Sequence, residues 1–166
     1  MVKLSTKSRY GTRLVLDLAR HYGEGPIQLS DIAARQQVSL KYLEQIVIPL
    51  KRAGLVESIR GSRGGHLLKV APHEITVAQI VSLFEGDLWL TECVRNPESC
   101  YRSPSCVTRK VWKKASEAAL GTLEDYTFQD LLQMEDELAE ERREAPIGRE
   151  ASPLLPRSAT KCGSVC

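Results

Sequence analysis

The sequence predicts a mainly α-helical protein with one small β-hairpin, and three observations lead to that class. Apolar residues recur at helical spacing through residues 6–52 and again beyond residue 107. Two short runs of strand character flank a glycine-rich hexapeptide, which reads as a hairpin. Thr76-Val-Ala-Gln79 is a capping-box sequence opening one more helix. At 166 residues the chain is long enough for one domain with a real core, or a small domain plus an appendage.

The first helix is expected over residues 6–22, with Ser5 as its cap and Tyr10, Leu14 and Leu18 repeating at four. Gly23-Glu-Gly-Pro26 ends it. Lys3, Lys7, Arg9 and Arg13 crowd its start, where positive charge opposes the helix dipole; nearby phosphates would offset that cost. A second, short helix follows over residues 29–36, with Ser30 as the expected cap. Gln37-Val-Ser39 turns the chain into a third, whose apolar face is Leu40, Leu43, Ile46, Val47 and Leu50. Lys41, Gln45 and Arg52 lie opposite, Glu44 lies on the flank, and Pro49 predicts a kink or a break.

Two short helices joined by a tight turn, the second polar on its outer face, form a helix-turn-helix pattern. The next segment sharpens it. Ala53-Gly54 closes the third helix, and strands are expected over residues 55–59 and 66–70. Between them Arg60-Gly-Ser-Arg-Gly-Gly is a basic turn, the wing of a winged helix. Its glycines permit close backbone approach to DNA, and Arg60 and Arg63 suit a narrow minor groove. A phosphate-cradling nucleotide loop is the rival, but the glycine spacing fits neither common fingerprint and no helix follows directly.

The capping-box helix is expected to run through Phe84 and stop at Gly86. Cys93, Cys100 and Cys106 come next, with six and five residues between them, and Pro97 and Pro104 forbid a continuous helix; a loop can curl three sulfurs toward one point. Helices are then expected from residue 107 to about 120, with Val111, Ala115, Ala118 and Ala119 on a small-residue face, and over residues 127–143. Residues 145–166 hold three prolines and two glycines without periodicity and read as a disordered tail, in which Cys162 and Cys166 are unpaired bystanders.

Net charge is +2, but residues 1–70 carry 12 basic against 5 acidic side chains, and residues 71–166 carry 11 against 16. That division favours a polyanionic partner for the first half. No apolar run approaches the ~20 residues of a membrane span, and the first nine residues lack the apolar stretch of a secretory signal. Five cysteines in that setting predict a reducing, cytoplasmic compartment. Soft thiolates suit zinc or an iron–sulfur cluster, and the close thiol pair usual for structural zinc is missing. Spacing alone leaves cluster, zinc and plain thiols open. An enzyme or electron carrier built on the same thiols is the opposing class; no nucleophile–base pair supports catalysis, and His21, His66 and His73 are scattered.

Leu4-Ser-Thr-Lys-Ser-Arg-Tyr10-Gly, Ser39-Leu-Lys-Tyr-Leu-Glu44-Gln45 and Gly54-Leu-Val-Glu-Ser-Ile-Arg60-Gly-Ser-Arg-Gly-Gly together resemble the Rrf-type winged-helix regulators of bacteria. The resemblance spans roughly residues 1–130. It implies a homodimer, held by the long helix after the cysteines, on a palindromic operator in double-stranded DNA. It puts Ser39, Lys41, Tyr42, Glu44 and Gln45 on the recognition helix, and Arg60, Ser62, Arg63 and Gly64 on the wing. It puts Cys93, Cys100 and Cys106 on the three cluster cysteines of the IscR and NsrR branches, with [2Fe–2S] preferred to [4Fe–4S].

Much of the N-terminal wording is closer to the CymR branch, which lacks those cysteines. Arg109 stands where the IscR branch has a ligating histidine, and Ser8 and Arg9 lie where NsrR-type proteins can use an aspartate. The fourth ligand is left open among Glu44, Glu92, His21, a thiol and water. The division implied is a DNA-binding domain (1–86), a cluster-binding loop (87–106), dimerisation and C-terminal helices (107–144) and the tail (145–166). The alternative is a cluster-free or zinc-bound regulator acting through a protein corepressor.

Overall fold

The structure, a computed structural model, describes residues 4–144, so the tail over 145–166, with Cys162 and Cys166, lies outside the described residues. Helix α1 (Thr6–Arg20) starts where the Ser5 hydroxyl accepts from the Ser8 amide at 3.2 Å. One face of it, Leu14, Val15 and Leu18, is completely buried. Helix α2 (Leu29–Gln36) is capped at Gln28 and not at Ser30, which lies inside its first turn. Pairing of the preceding Ile27 with the hairpin sets where α2 begins. Gln37 then takes the left-handed conformation, φ 53°, and its amide and that of Val38 return to carbonyls of α2.

Helix α3 (Leu40–Arg52) is capped by Ser39, whose hydroxyl accepts from the Tyr42 amide at 3.3 Å. Leu43, Ile46, Val47 and Leu50 are buried as expected, but Leu40 is exposed, since the first turn of α3 projects beyond the core. Pro49 does not break the helix. It sits in the last turn, so only the Gln45 carbonyl loses its amide partner, and Gln45 is exposed to water. The Ala53 amide bonds the Pro49 carbonyl at 2.9 Å, so the ladder resumes at once.

Strands β1 (Val56–Ile59) and β2 (Gly65–Leu68) pair antiparallel with Val56 opposite Leu68 and Ile59 opposite Gly65, slightly shorter than the expected runs. Ile27 and His66 exchange two backbone hydrogen bonds, 2.9 and 2.7 Å, and fasten the hairpin to the loop before α2. A Cβ on Gly65 would strike the Ile27 backbone, which explains glycine there. Thr76 and Gln79 complete the expected capping box of α4 (Val77–Glu85), and Gly86 (φ 75°) ends it. The Phe84 ring packs against Gly11 of α1, where any larger side chain would overlap it.

The cysteine segment is not an open loop. Helix α5 (Glu92–Arg95) and two single 3₁₀ turns, Pro97–Ser99 and Ser103–Ser105, shape it; Pro97 is the first and Pro104 the second residue of its turn, positions where a missing amide costs nothing. Helix α6 (Val107–Glu124) runs past the expected end near residue 120. The chain then returns to the core. The Val77 amide bonds the Tyr126 carbonyl, the Phe128 amide bonds the Ile75 carbonyl, both at 2.9 Å, and α7 (Phe128–Glu144) begins with a fully buried Phe128. Leu131 and Leu132 join the same core. Among the described residues no helix is long and apolar enough to cross a membrane.

Candidate nucleic-acid interface and thiol loop

The buried face of α3 decides what its other face can do. With Leu43, Ile46, Val47 and Leu50 locked inward, Lys41, Glu44 and Gln45 point outward and exposed. Tyr42 lies between the two faces. Its ring meets Tyr10 of α1 edge-on, centroids 5.7 Å apart, and Arg13 stacks over Tyr10 at 5.5 Å. The aromatic pair braces the start of α3 against α1 and carries a cation to the same surface. Among the described residues Lys41 and Glu44 have no ion-pair partner, so both are available to an incoming ligand.

The wing presents Arg60, Ser62 and Arg63, all exposed, on a turn closed by the Gly64 amide on the Gly61 carbonyl at 3.0 Å. Gly61 has φ 117°, which favours glycine, and a Cβ on Gly64 would run into the Ile59 carbonyl. His66 faces Ser58, Nδ1 to Oγ 3.0 Å, and burial, then the charge on Lys51, pushes it below the usual histidine value. Its place is structural, paired through its backbone with Ile27 and through its ring with Ser58.

Two polar anchors hold this head together. Asp17 of α1 accepts from Arg35 (Nε 3.0 Å, Nη2 2.5 Å) and from Gln36 at 3.0 Å, tying α1 to α2. Burial pushes the Asp17 carboxyl up, but the hydrogen bonds from Arg35 and Gln36 and the Arg35 charge outweigh it and hold the group below its usual range. At the N-terminus of α1, Glu85 at the end of α4 accepts from the Ser5 amide at 2.6 Å and from the buried Ser8 hydroxyl. Those bonds lower the Glu85 pKa, Ser8 contributing most. Polar contacts between residues 18 and 77 positions apart leave no local sequence signal; only the helical placement of each polar residue on an apolar face hints at a buried partner.

Cys93, Cys100 and Cys106 are all free and half-buried. Cys93 lies in α5 with Sγ 3.4 Å from the Thr91 hydroxyl. Cys106 caps the N-terminus of α6 with Sγ 3.1 Å from the Thr108 hydroxyl. That hydroxyl, the backbone amides of Arg109 and Thr108, and the Arg102 charge draw the Cys106 thiol below its ordinary value. Cys100 lies between the two 3₁₀ turns. Arg109, expected within a turn of Cys106, is there, and its Nε donates to the Cys93 carbonyl at 2.7 Å.

Whether this loop suits a thiolate-bound metal group turns on two observations. Ser103, between the second and third thiols, is 5 % exposed, and among the described residues its hydroxyl has no partner. A buried orphan hydroxyl is costly, so a polar group accepting from it fits the loop. The donor chemistry therefore fits. The thiols are not yet gathered, because among the described residues no three potential ligands stand close enough to hold one metal. Of the other candidates, His21 is committed to Glu24 at 2.8 Å, Glu44 lies on the outer face of α3, and Glu92 is exposed beside Cys93.

A family model for Rrf2, described as an iron-dependent transcriptional regulator, matches residues 4–134. Protein rrf2 of Nitratidesulfovibrio vulgaris is 39% identical over 131 residues, which are 79% of this chain and 87% of that protein. The structure resembles CymR, the global cysteine regulator of B. subtilis, with TM-score 0.70 and 37% identity, covering 81% of this chain and 98% of that one. It resembles T. potens IscR with TM-score 0.68 and 38% identity, covering 82% and 90%.

Proposed function

Because the chain belongs to the Rrf2 family of transcriptional regulators, in its IscR and CymR group, we propose that it is a dimeric DNA-binding regulator whose operator affinity is set at the three-thiol loop by an iron–sulfur cluster. One observation carries the control site: three free thiols and an orphaned buried hydroxyl share a single loop packed onto α6. Cys93, Cys100 and Cys106 would hold the cluster, with [2Fe–2S] preferred to [4Fe–4S]. A bound cluster supplies thiolate-held iron that is open to oxidation, nitrosylation or loss.

The chain's own residues do the rest. Ser39 caps the recognition helix, Lys41, Tyr42, Glu44 and Gln45 meet base edges and phosphates, and Arg60, Ser62, Arg63 and Gly64 enter the adjacent minor groove. Glu44 accepts from a cytosine amino group or repels a wrong base edge, giving discrimination more than affinity. Val107, Val111, Ala115, Ala118 and Ala119 lie exposed along α6, a face of about 18 Å awaiting a partner helix. A second copy there makes a two-fold assembly, and a two-fold protein reads a palindrome in double-stranded DNA. The division of labour is a reader over 1–86, a control loop over 87–106 and an assembly segment over 107–144, with α7 returning to the reader's core.

Drawing Cys100 toward the other two thiols must move the 3₁₀ turns that join α5 to α6, and α6 sets the spacing of the two reading heads. The loop acts on DNA only through the difference in affinity between its two states. Anaerobic reconstitution with iron and sulfide, followed by absorption spectra, light scattering and a gel shift on the protein's own promoter, tests the reading. A thiolate-bound chromophore, a dimer and a cluster-dependent shift support it; a chromophore with no DNA binding points to an electron carrier. A second reading is a cluster-free or zinc-bound regulator that acts through a protein corepressor. The separated thiols and the likeness to CymR favour it, and operator binding indifferent to iron would decide for it.

A further inference from the structure

Most residues of α6 are exposed, yet Ser116 is 2 % exposed. Its hydroxyl donates to the Trp112 carbonyl at 2.9 Å and accepts from the Leu90 amide at 3.0 Å. Two turns earlier on the same face, the Arg109 guanidinium donates to the Cys93 carbonyl at 2.7 Å. Seven residues of helix rise about 10.5 Å, and the chain from Leu90 to Cys93 spans at most roughly 11 Å. Two side chains on α6 therefore match two backbone groups on the segment that brings in the first thiol, and the segment runs antiparallel to the helix.

We propose that Arg109 and Ser116 form a two-point clasp that lays residues 90–93 along α6 and so fixes Cys93 relative to Cys106 before any metal arrives. Arg109 is a positioning residue, not a ligand. Its guanidinium has no lone pair to offer, and its Nε is already given to a carbonyl. The clasp closes the fifteen residues between Cys93 and Arg109 into a loop whose ends are held by protein alone. Filling the site then requires ordering only the middle of that loop, where Cys100 and the unpartnered Ser103 lie. The consequence for the control loop rests on the reading of the three thiols as a metal site; the clasp itself does not.

The test uses the full chain, metal-free under reductant, and then cobalt(II) as probe. In the metal-free chain a short bifunctional thiol reagent, mapped by mass spectrometry, joins Cys93 to Cys106 several-fold faster in wild type than in Arg109→Met. Arg109→Lys, which retains a donor, recovers part of that rate. Ser116→Ala speeds exchange of the Leu90 amide. With cobalt(II), Arg109→Met keeps the thiolate charge-transfer bands, because the ligands are unchanged, but binds roughly 10–100-fold more weakly. Equal cross-linking rates in wild type, Arg109→Met and Arg109→Lys, with folded far-ultraviolet spectra, overturn the clasp. A wild-type chain that shows no cobalt–thiolate bands overturns the metal-site reading instead, and the cross-linking rates still judge the clasp.

Discussion

Arg35→Ala tests how the reading head is assembled. The Asp17 side chain is only 5 % exposed, and Arg35, 43 % exposed, supplies two of its three hydrogen bonds. Removing the guanidinium leaves a buried carboxylate with Gln36 alone. Breaking a fully buried pair costs about 3–5 kcal/mol, and the exposure of Arg35 brings the expected loss to about 2–3 kcal/mol. At roughly 2–4 °C per kcal/mol for a chain of this size, the melting temperature falls about 4–12 °C at pH 7. The folded protein holds Asp17 below its ordinary value, so the stabilisation is complete above the ordinary carboxylate range and disappears as pH falls through the lowered folded value. In the variant, burial acts with less opposition and the carboxyl rises. Melting curves at pH 7 and at about pH 3 should therefore show a gap that narrows with acid. An equal gap at both values, or none at pH 7, would refute the assignment of Arg35 as the partner that makes Asp17 tolerable.

Three further outcomes follow from the exposed groups and the loop. Operator affinity should fall steeply with salt, and Arg60→Ala should weaken it by about 1–3 kcal/mol, most on sites with A·T-rich flanks, as fluorescence anisotropy would show. Glu44→Ala should widen the set of sequences selected from a randomised pool while leaving affinity for the best one nearly intact; a uniform loss would make Glu44 structural or a ligand. Ser103→Ala should leave the metal-free chain as stable or more so, because it deletes an unpartnered buried hydroxyl, yet shorten the life of a reconstituted cluster under a chelator.

Local chemistry made most of the fold legible. Ser5 and Thr76 cap the helices they were expected to cap, and the glycines of the wing fall where only glycine fits. Ser30 misled because its own type favours caps, whereas a tertiary pairing, Ile27 with His66, sets the start of α2. Pro49 misled because the rule against proline weakens in a last turn whose open carbonyl faces water. The extension of α6 past residue 120 crosses Gly121, whose cost inside a helix is only about 1 kcal/mol. The cysteines advertise a thiol loop by spacing, but its closure by Arg109 and Ser116 depends on side chains meeting backbone groups 16 and 26 residues away, which no local pattern records. The same holds for Glu85 on Ser5 and Ser8.

The most direct measurement of the central claim is the ratio of operator dissociation constants for anaerobic, cluster-loaded chain and metal-free chain, at fixed salt and protein concentration. Coupling of the usual size gives a ratio of about 5–150, and the ratio should collapse to one in Cys93→Ser, Cys100→Ser or Cys106→Ser. A loaded wild-type chain that binds its operator no differently from the metal-free chain would contradict control through the thiol loop.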